Sequence, residues 1–153
     1  AAAGVAGAVL ATVQLSGSAG RLVGGELADR LPGRPERGPA LVLSVQAALA
    51  AVGFLAVVAA DTAAVSWAAF GFLGLFILGF PGVYYATMTA LVDDDEVGAA
   101  TAGGQTAINL GGLTAPPLFG LIVDATGYDT AWTLTAGLAA IAAVLVWLLI
   151  LRE

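Results

Sequence analysis

The sequence predicts an all-α membrane protein, with five transmembrane helices forming part of a helical bundle. Three observations lead to this class. Of the 153 residues, 59% are hydrophobic and 10% are charged, with a mean hydropathy of +0.96, whereas soluble domains carry about 25% charged residues. The charges are also clustered, so that uncharged runs cover 1–20, 38–60, 62–92, 97–123 and 130–151, which is 20, 23, 31, 27 and 22 residues. A helix needs roughly 20 apolar residues to cross the roughly 30 Å hydrocarbon core. Finally, the runs are long and lack the period-2 alternation of barrel strands, which favours helices.

The same composition narrows the function classes. The chain has no His, no Cys and no Lys, and a net charge of −6. Nothing resembles a metal-ligand cluster or a base placed beside a nucleophile, so the expectation is a non-enzyme with no cofactor and no metal. No basic patch supports nucleic-acid binding. The start Ala-Ala-Ala-Gly has no basic n-region and runs into a charged turn, unlike a signal peptide. It reads as an internal stretch of a longer polypeptide.

The first run, about 2–28, is rich in Ala, Gly and Val. Small residues recur every fourth position at Ser16, Gly20, Gly24 and Ala28, a ridge that lets another helix approach closely in a bilayer. Gln14, Ser18 and Arg21 form a polar stripe that faces nearly the opposite way. Two readings of that stripe stand: it lines a polar cavity, or Gln14 and Ser18 bond neighbouring helices.

The second run, about 39–60, opens with Pro39 near the first helical turn, where a missing N–H costs little. Its polar residues, Ser44 and Gln46, form no stripe. A peripheral, largely lipid-facing helix is expected, followed by a very short turn at Asp61-Thr62.

The third run, about 64–92, carries Trp67 near its start, where an interfacial aromatic fits. Pro81 interrupts it, and a kink or break is expected because proline removes a backbone bond and crowds the preceding turn. Tyr84 and Tyr85 follow. Either a hydroxyl there faces protein or water, or both rings belong to the interfacial belt.

Asp93-Asp-Asp-Glu96 precedes the fourth run, about 97–123. Carboxylates at a helix N-terminus favour its partial positive charge and can cap free N–H groups, while the spacing and glycine of a calcium loop are absent. The run repeats the design of the first. Gly103, Ala107, Gly111 and Ala115 form a small-residue ridge, and Gln105 and Asn109 lie nearly opposite. An Asn in mid-run is costly in lipid and so should face protein or a polar cavity. Pro116 and Pro117 should bend this helix, and residues 124–130 should form a turn. The fifth run, about 131–151, has Trp132 and Trp147 towards its two ends and an almost wholly aliphatic second half, expected to face lipid.

Orientation follows from the arginines. With five spans, the turns 29–38 and 93–96 share one side with the C-terminus, and all five arginines lie at or near that side. The positive-inside rule makes it cytoplasmic, and the plasma membrane is the expected location.

Gly25-Glu-Leu-Ala-Asp-Arg-Leu-Pro-Gly-Arg34 resembles the major facilitator superfamily signature G-x-L-A-D-R-x-G-R, with Leu31-Pro32 in place of one residue and no second basic residue after Arg34. Glu96-Val-Gly98, Gly111-Gly112, Pro116-Pro117-Leu-Phe-Gly120 and Asp124-Ala-Thr-Gly127 extend the likeness over most of the chain. The resemblance implies that residues 1–153 are helices 8 to 12, part of a C-terminal six-helix half, with helices 2 to 6 as the second registration. It also implies a conformational-switch role for Gly25, Asp29, Arg30, Gly33 and Arg34. Arg30 and Arg34 read equally well as topology determinants.

The expected function is therefore secondary active or facilitative transport of a small solute by alternating access. The partners would be the lipid bilayer and the missing N-terminal half of the same polypeptide. Gln14, Ser18, Arg21, Tyr84, Tyr85, Gln105 and Asn109 are the cavity candidates. No carboxylate lies in mid-membrane, so a coupling acid would lie outside this segment. The amide and hydroxyl groups disfavour a strongly charged solute. A non-transporting scaffold or receptor-like protein on the same framework is the alternative.

Overall fold

The computed structural model describes residues 2–35 and 37–152; Glu36 in the expected cytoplasmic turn and Glu153 in the expected tail lie outside them. Six helices follow one another: α1 (Ala2–Arg30), α2 (Arg37–Val58), α3 (Ala63–Ile77), α4 (Phe80–Ala90), α5 (Val97–Thr126) and α6 (Tyr128–Arg152). Among the described residues, four stretches are long and apolar enough to cross a membrane: Arg37–Val58, Ala63–Ala90, Val97–Thr126 and Tyr128–Leu151. α1 is not among them. At 29 residues it has the length, and its residues 2–20 carry no charge. The all-helical membrane bundle stands, with α1 as its most polar member.

The third run is two helices, not one. Pro81 has no N–H to offer the Ile77 carbonyl, and its ring crowds that turn. The chain breaks just before it, at Leu78-Gly79, and α4 restarts with proline in its first turn. Thr62 caps the start of α3, its side-chain oxygen accepting from the Val65 N–H at 3.3 Å.

Two local expectations are corrected. The turn placed at residues 124–130 shrinks to Gly127 alone. α5 runs to Thr126, α6 begins at Tyr128, and Gly127 takes the left-handed φ of 93° that only glycine adopts readily. No carboxylate caps α5. Its N-cap, Glu96, is helical in backbone and makes no side-chain capping bond, and a backbone bond from the Glu96 N–H to the Asp93 carbonyl closes the turn. The acids therefore act on α5 through its dipole and solvation alone.

The largest correction concerns α2, which is central rather than lipid-facing: it packs against α1, α3, α4 and α6. Eight of its residues are buried, and Gly38, Ala40, Ser44, Ala50, Ala51 and Gly53 among them are small. Hydropathy does not separate a lipid environment from a protein one, because both are apolar. Small side chains do, since they let backbones approach. Leu73, the most deeply buried large side chain, lies over Gly53, where a β-carbon would stand 2.7 Å from its Cδ2. Ser44 Oγ donates across the interface to the Ala143 carbonyl at 2.9 Å.

The α1 ridge packs as its spacing predicts. Gly20 meets the Leu75 backbone, Gly24 faces Gln46 and Val83, and Ala28 meets Gly38. The corresponding ridge of α5 does not pack within this segment: Gly103 and Gly111 have open space around them. α6 divides cleanly, with Ala131, Ala136 and Ala143 buried and Leu138, Ile141, Val144 and Leu145 exposed. Its outer face suits lipid.

Candidate functional site

α4 lies between α1 and α5, packing on both. The Tyr85 hydroxyl donates to Gln105 Oε1, and Gln105 Nε2 donates to Asn109 Oδ1 at 2.8 Å. The latter pair is one helical turn apart on α5, so the relay runs from α4 onto and along α5. Gln105 and Asn109 are exposed and Tyr85 is half-buried. Polar groups this apolar chain leaves uncovered at mid-helix are those expected to meet water or a solute.

Tyr84 packs its ring edge-on to Tyr85 at 5.3 Å and to Phe80 at 5.9 Å. Gly104 makes that seat possible: a β-carbon there would lie 2.6 Å from Met88 Sδ and 3.0 Å from the Tyr84 hydroxyl. The sequence pattern singled out Gly103 as the packing position, but the neighbouring Gly104 is the glycine that α4 approaches.

On α1, Gln14, Ser18 and Arg21 are all exposed. The Ser18 hydroxyl donates to the Gln14 carbonyl of its own helix at 3.0 Å, leaving its oxygen free to accept. Arg21 Nε donates to the Leu78 carbonyl at 2.8 Å, reaching the break between α3 and α4. That carbonyl is left over where α3 ends, and a guanidinium satisfies it with a charge-assisted bond. The α1 stripe and the Tyr85–Gln105–Asn109 relay are not bonded to one another.

The signature residues gather at the end of α1. Gly25 is half-buried in open space. Arg30 pairs with Glu26 at 2.7 Å on the exposed surface, a helical i,i+4 contact of modest strength. Asp29 is exposed and has no polar partner among the described residues. Gly33 takes a φ of +133°, and a β-carbon there would stand 3.4 Å from Arg37 Cδ, so this glycine lets the turn fold back over Arg37. The Arg37 N–H then bonds the Arg34 carbonyl at 3.0 Å as α2 begins. Pro116 and Pro117 sit inside α5, which continues through both without a break.

Sequence reasoning missed three features. Trp132 joins four helices, stacking on Phe54 of α2 at 5.7 Å and meeting Phe70 of α3 and Phe119 of α5 edge-on at 6.1 and 4.7 Å. Trp67 Nε1 donates to Thr12 Oγ1 at 3.0 Å, tying α3 to α1. Gln46 is buried with its Oε1 unpartnered. Only the unusual placement of an amide in an otherwise apolar run signalled the last.

Among the described residues, no group of His, Cys, Asp or Glu could hold a metal ion. The surface offers hydroxyls, amides and one guanidinium on a helical membrane bundle, chemistry suited to binding a polar solute reversibly. These features define an integral membrane protein built as a bundle of helices. The chain belongs to the Major Facilitator Superfamily, whose family model matches residues 1–153. It is similar to the hexuronate transporter of Bacillus subtilis (strain 168), with 33% identity over 96 residues, covering 62% of this chain and 22% of that protein. The aligned part is thus about a fifth of the relative's length. No solved structure matches the chain.

Proposed function

We propose that these residues form part of the C-terminal half of a secondary transporter that moves a small polar solute by alternating access. The hydrogen-bonded relay Tyr85–Gln105–Asn109 carries this reading, because it lays a line of neutral donors and acceptors along an uncovered face. The α1 stripe of Gln14, Ser18 and Arg21 forms the other flank, with α4 between them. An N-terminal half of the same polypeptide would close the cavity over this face and over the open ridge of α5. Two rigid halves rocking about a central site give alternating access. Asp29, unpartnered here, would find its partner in that other half and steady one conformer. A helix-end interaction of about 0.3–1 kcal/mol shifts a two-state equilibrium severalfold at most.

The hexuronate relative makes a sugar acid the first solute to test. Such a molecule carries several hydroxyls for the relay and one carboxylate for Arg21. The arginine-rich turn at 29–38 would be cytoplasmic, in the plasma membrane. Uptake of labelled glucuronate into proteoliposomes holding the full polypeptide tests the reading. Saturable uptake that falls at least tenfold in Gln105→Leu would support it. Uptake equal to empty vesicles for a panel of sugar acids and neutral sugars would refute it.

A further inference from the structure

A second site lies away from the relay, at the arginine-rich end of the bundle. A cavity of about 330 Å³ opens where α2 begins and where α4 and α6 end. Gly33, Arg34 and Arg37 line one side, and Leu91, Leu149 and Ile150 line another. Two guanidinium groups and the positive end of the α2 dipole favour an anion there. The apolar side has the opposite character: Leu149 belongs to the exposed aliphatic face of α6 that suits acyl chains. The acids 93–96 follow α4 at this end, but none of them lines the cavity among the described residues.

We infer that this cavity binds the headgroup of an anionic phospholipid, with the phosphate held by Arg37 and Arg34 and an acyl chain running along Leu149 and Ile150. The cations fix the ligand's charge, and the greasy wall distinguishes a lipid from a free anion. Basic pockets between membrane helices hold anionic headgroups by this combination. Arg37 is the principal contact. The left-handed Gly33 lies against its side chain.

The test is native mass spectrometry of the full polypeptide, released from nanodiscs containing equal phosphatidylglycerol and phosphatidylcholine of identical acyl chains. Phosphatidylglycerol should be retained about fivefold over phosphatidylcholine, and Arg37→Gln should remove that preference. Arg30→Gln should leave it intact, since Arg30 pairs with Glu26 and does not line the cavity. Ile150→Trp, which fills the apolar side and keeps both arginines, should also expel the lipid and serves if Arg37→Gln does not fold. Equal retention of the two lipids would overturn the inference. So would unchanged phosphatidylglycerol retention in the folded variants, or inorganic phosphate competing as well as the lipid.

Discussion

Arg21 donates from Nε to the Leu78 carbonyl at 2.8 Å, so a cation on α1 closes the end of α3 at the point where the third membrane span breaks. Gly20 and Gly79 lie beside this bond, where a β-carbon on Gly79 would stand 3.0 Å from the Gly20 carbonyl carbon. Break, close approach and charge-assisted bond together form one joint between α1 and the α3–α4 pair. Replacing Arg21 with Met should loosen it. The bond is exposed, so the loss should be on the order of 1 kcal/mol. Hydrogen exchange should report it as faster opening at residues 76–80, with α2 unchanged; equal protection in both proteins would show that the bond does not hold the break.

Gly20 and Gly79 have no room for a side chain. Gly20→Val should destabilise the protein by about 2 kcal/mol or prevent folding, because its β-carbon would run into the Leu75 carbonyl. Gly82→Ala, in open space only a few residues away, should change stability by less than about 1 kcal/mol. Denaturation in mixed micelles would separate the two. Equal effects would mean that the close approach does not govern stability.

Among the described residues, Trp132 is the one side chain in ring contact with α2, α3 and α5 together. Trp132→Ala should cost about 3 kcal/mol. Trp147→Ala, whose ring is exposed on α6, should cost well under half of that. A similar loss for both, measured by the same denaturation, would contradict the assignment of Trp132 as the aromatic centre.

Gln46 is buried with its amide nitrogen beside Gly24 and its amide oxygen unpartnered. A buried polar atom without a partner is destabilising, so Gln46→Leu should stabilise the protein by about 1 kcal/mol. A loss of stability would show that Gln46 bonds a group outside these residues.

The fold was largely legible in the spacing of charges, because the cost of burying a charge in lipid confines charges to helix ends. The α1 ridge was readable for a similar reason: small residues at every fourth position leave a groove, and a neighbouring helix fills it. Pro81 announced the break. The burial of α2 was hidden, since its alanines and valines suit lipid and protein alike and only tertiary packing decides between them. The turn expected at residues 124–130 failed because Thr126 and Tyr128 continue helices once Gly127 alone reverses the chain. At the site, the sequence offered Tyr85, Gln105 and Asn109 separately by their polarity. Their linkage could not be read there, because it depends on how α4 lies against α5. The bond from Arg21 to a main-chain carbonyl has no sequence signature at all.

Alternating access is the central claim, and cysteine accessibility tests it most directly without requiring the solute. The chain contains no native cysteine, so Asn109→Cys can be placed in the full polypeptide after any cysteine elsewhere has been replaced. A membrane-impermeant thiol reagent is then applied from each side in turn, with Leu145→Cys on the lipid-facing side of α6 as the unreactive control. Modification of Asn109→Cys from both sides, with a balance that shifts when solute is added, is the predicted result. Modification from neither side, or from one side only whatever solute is present, would contradict the account.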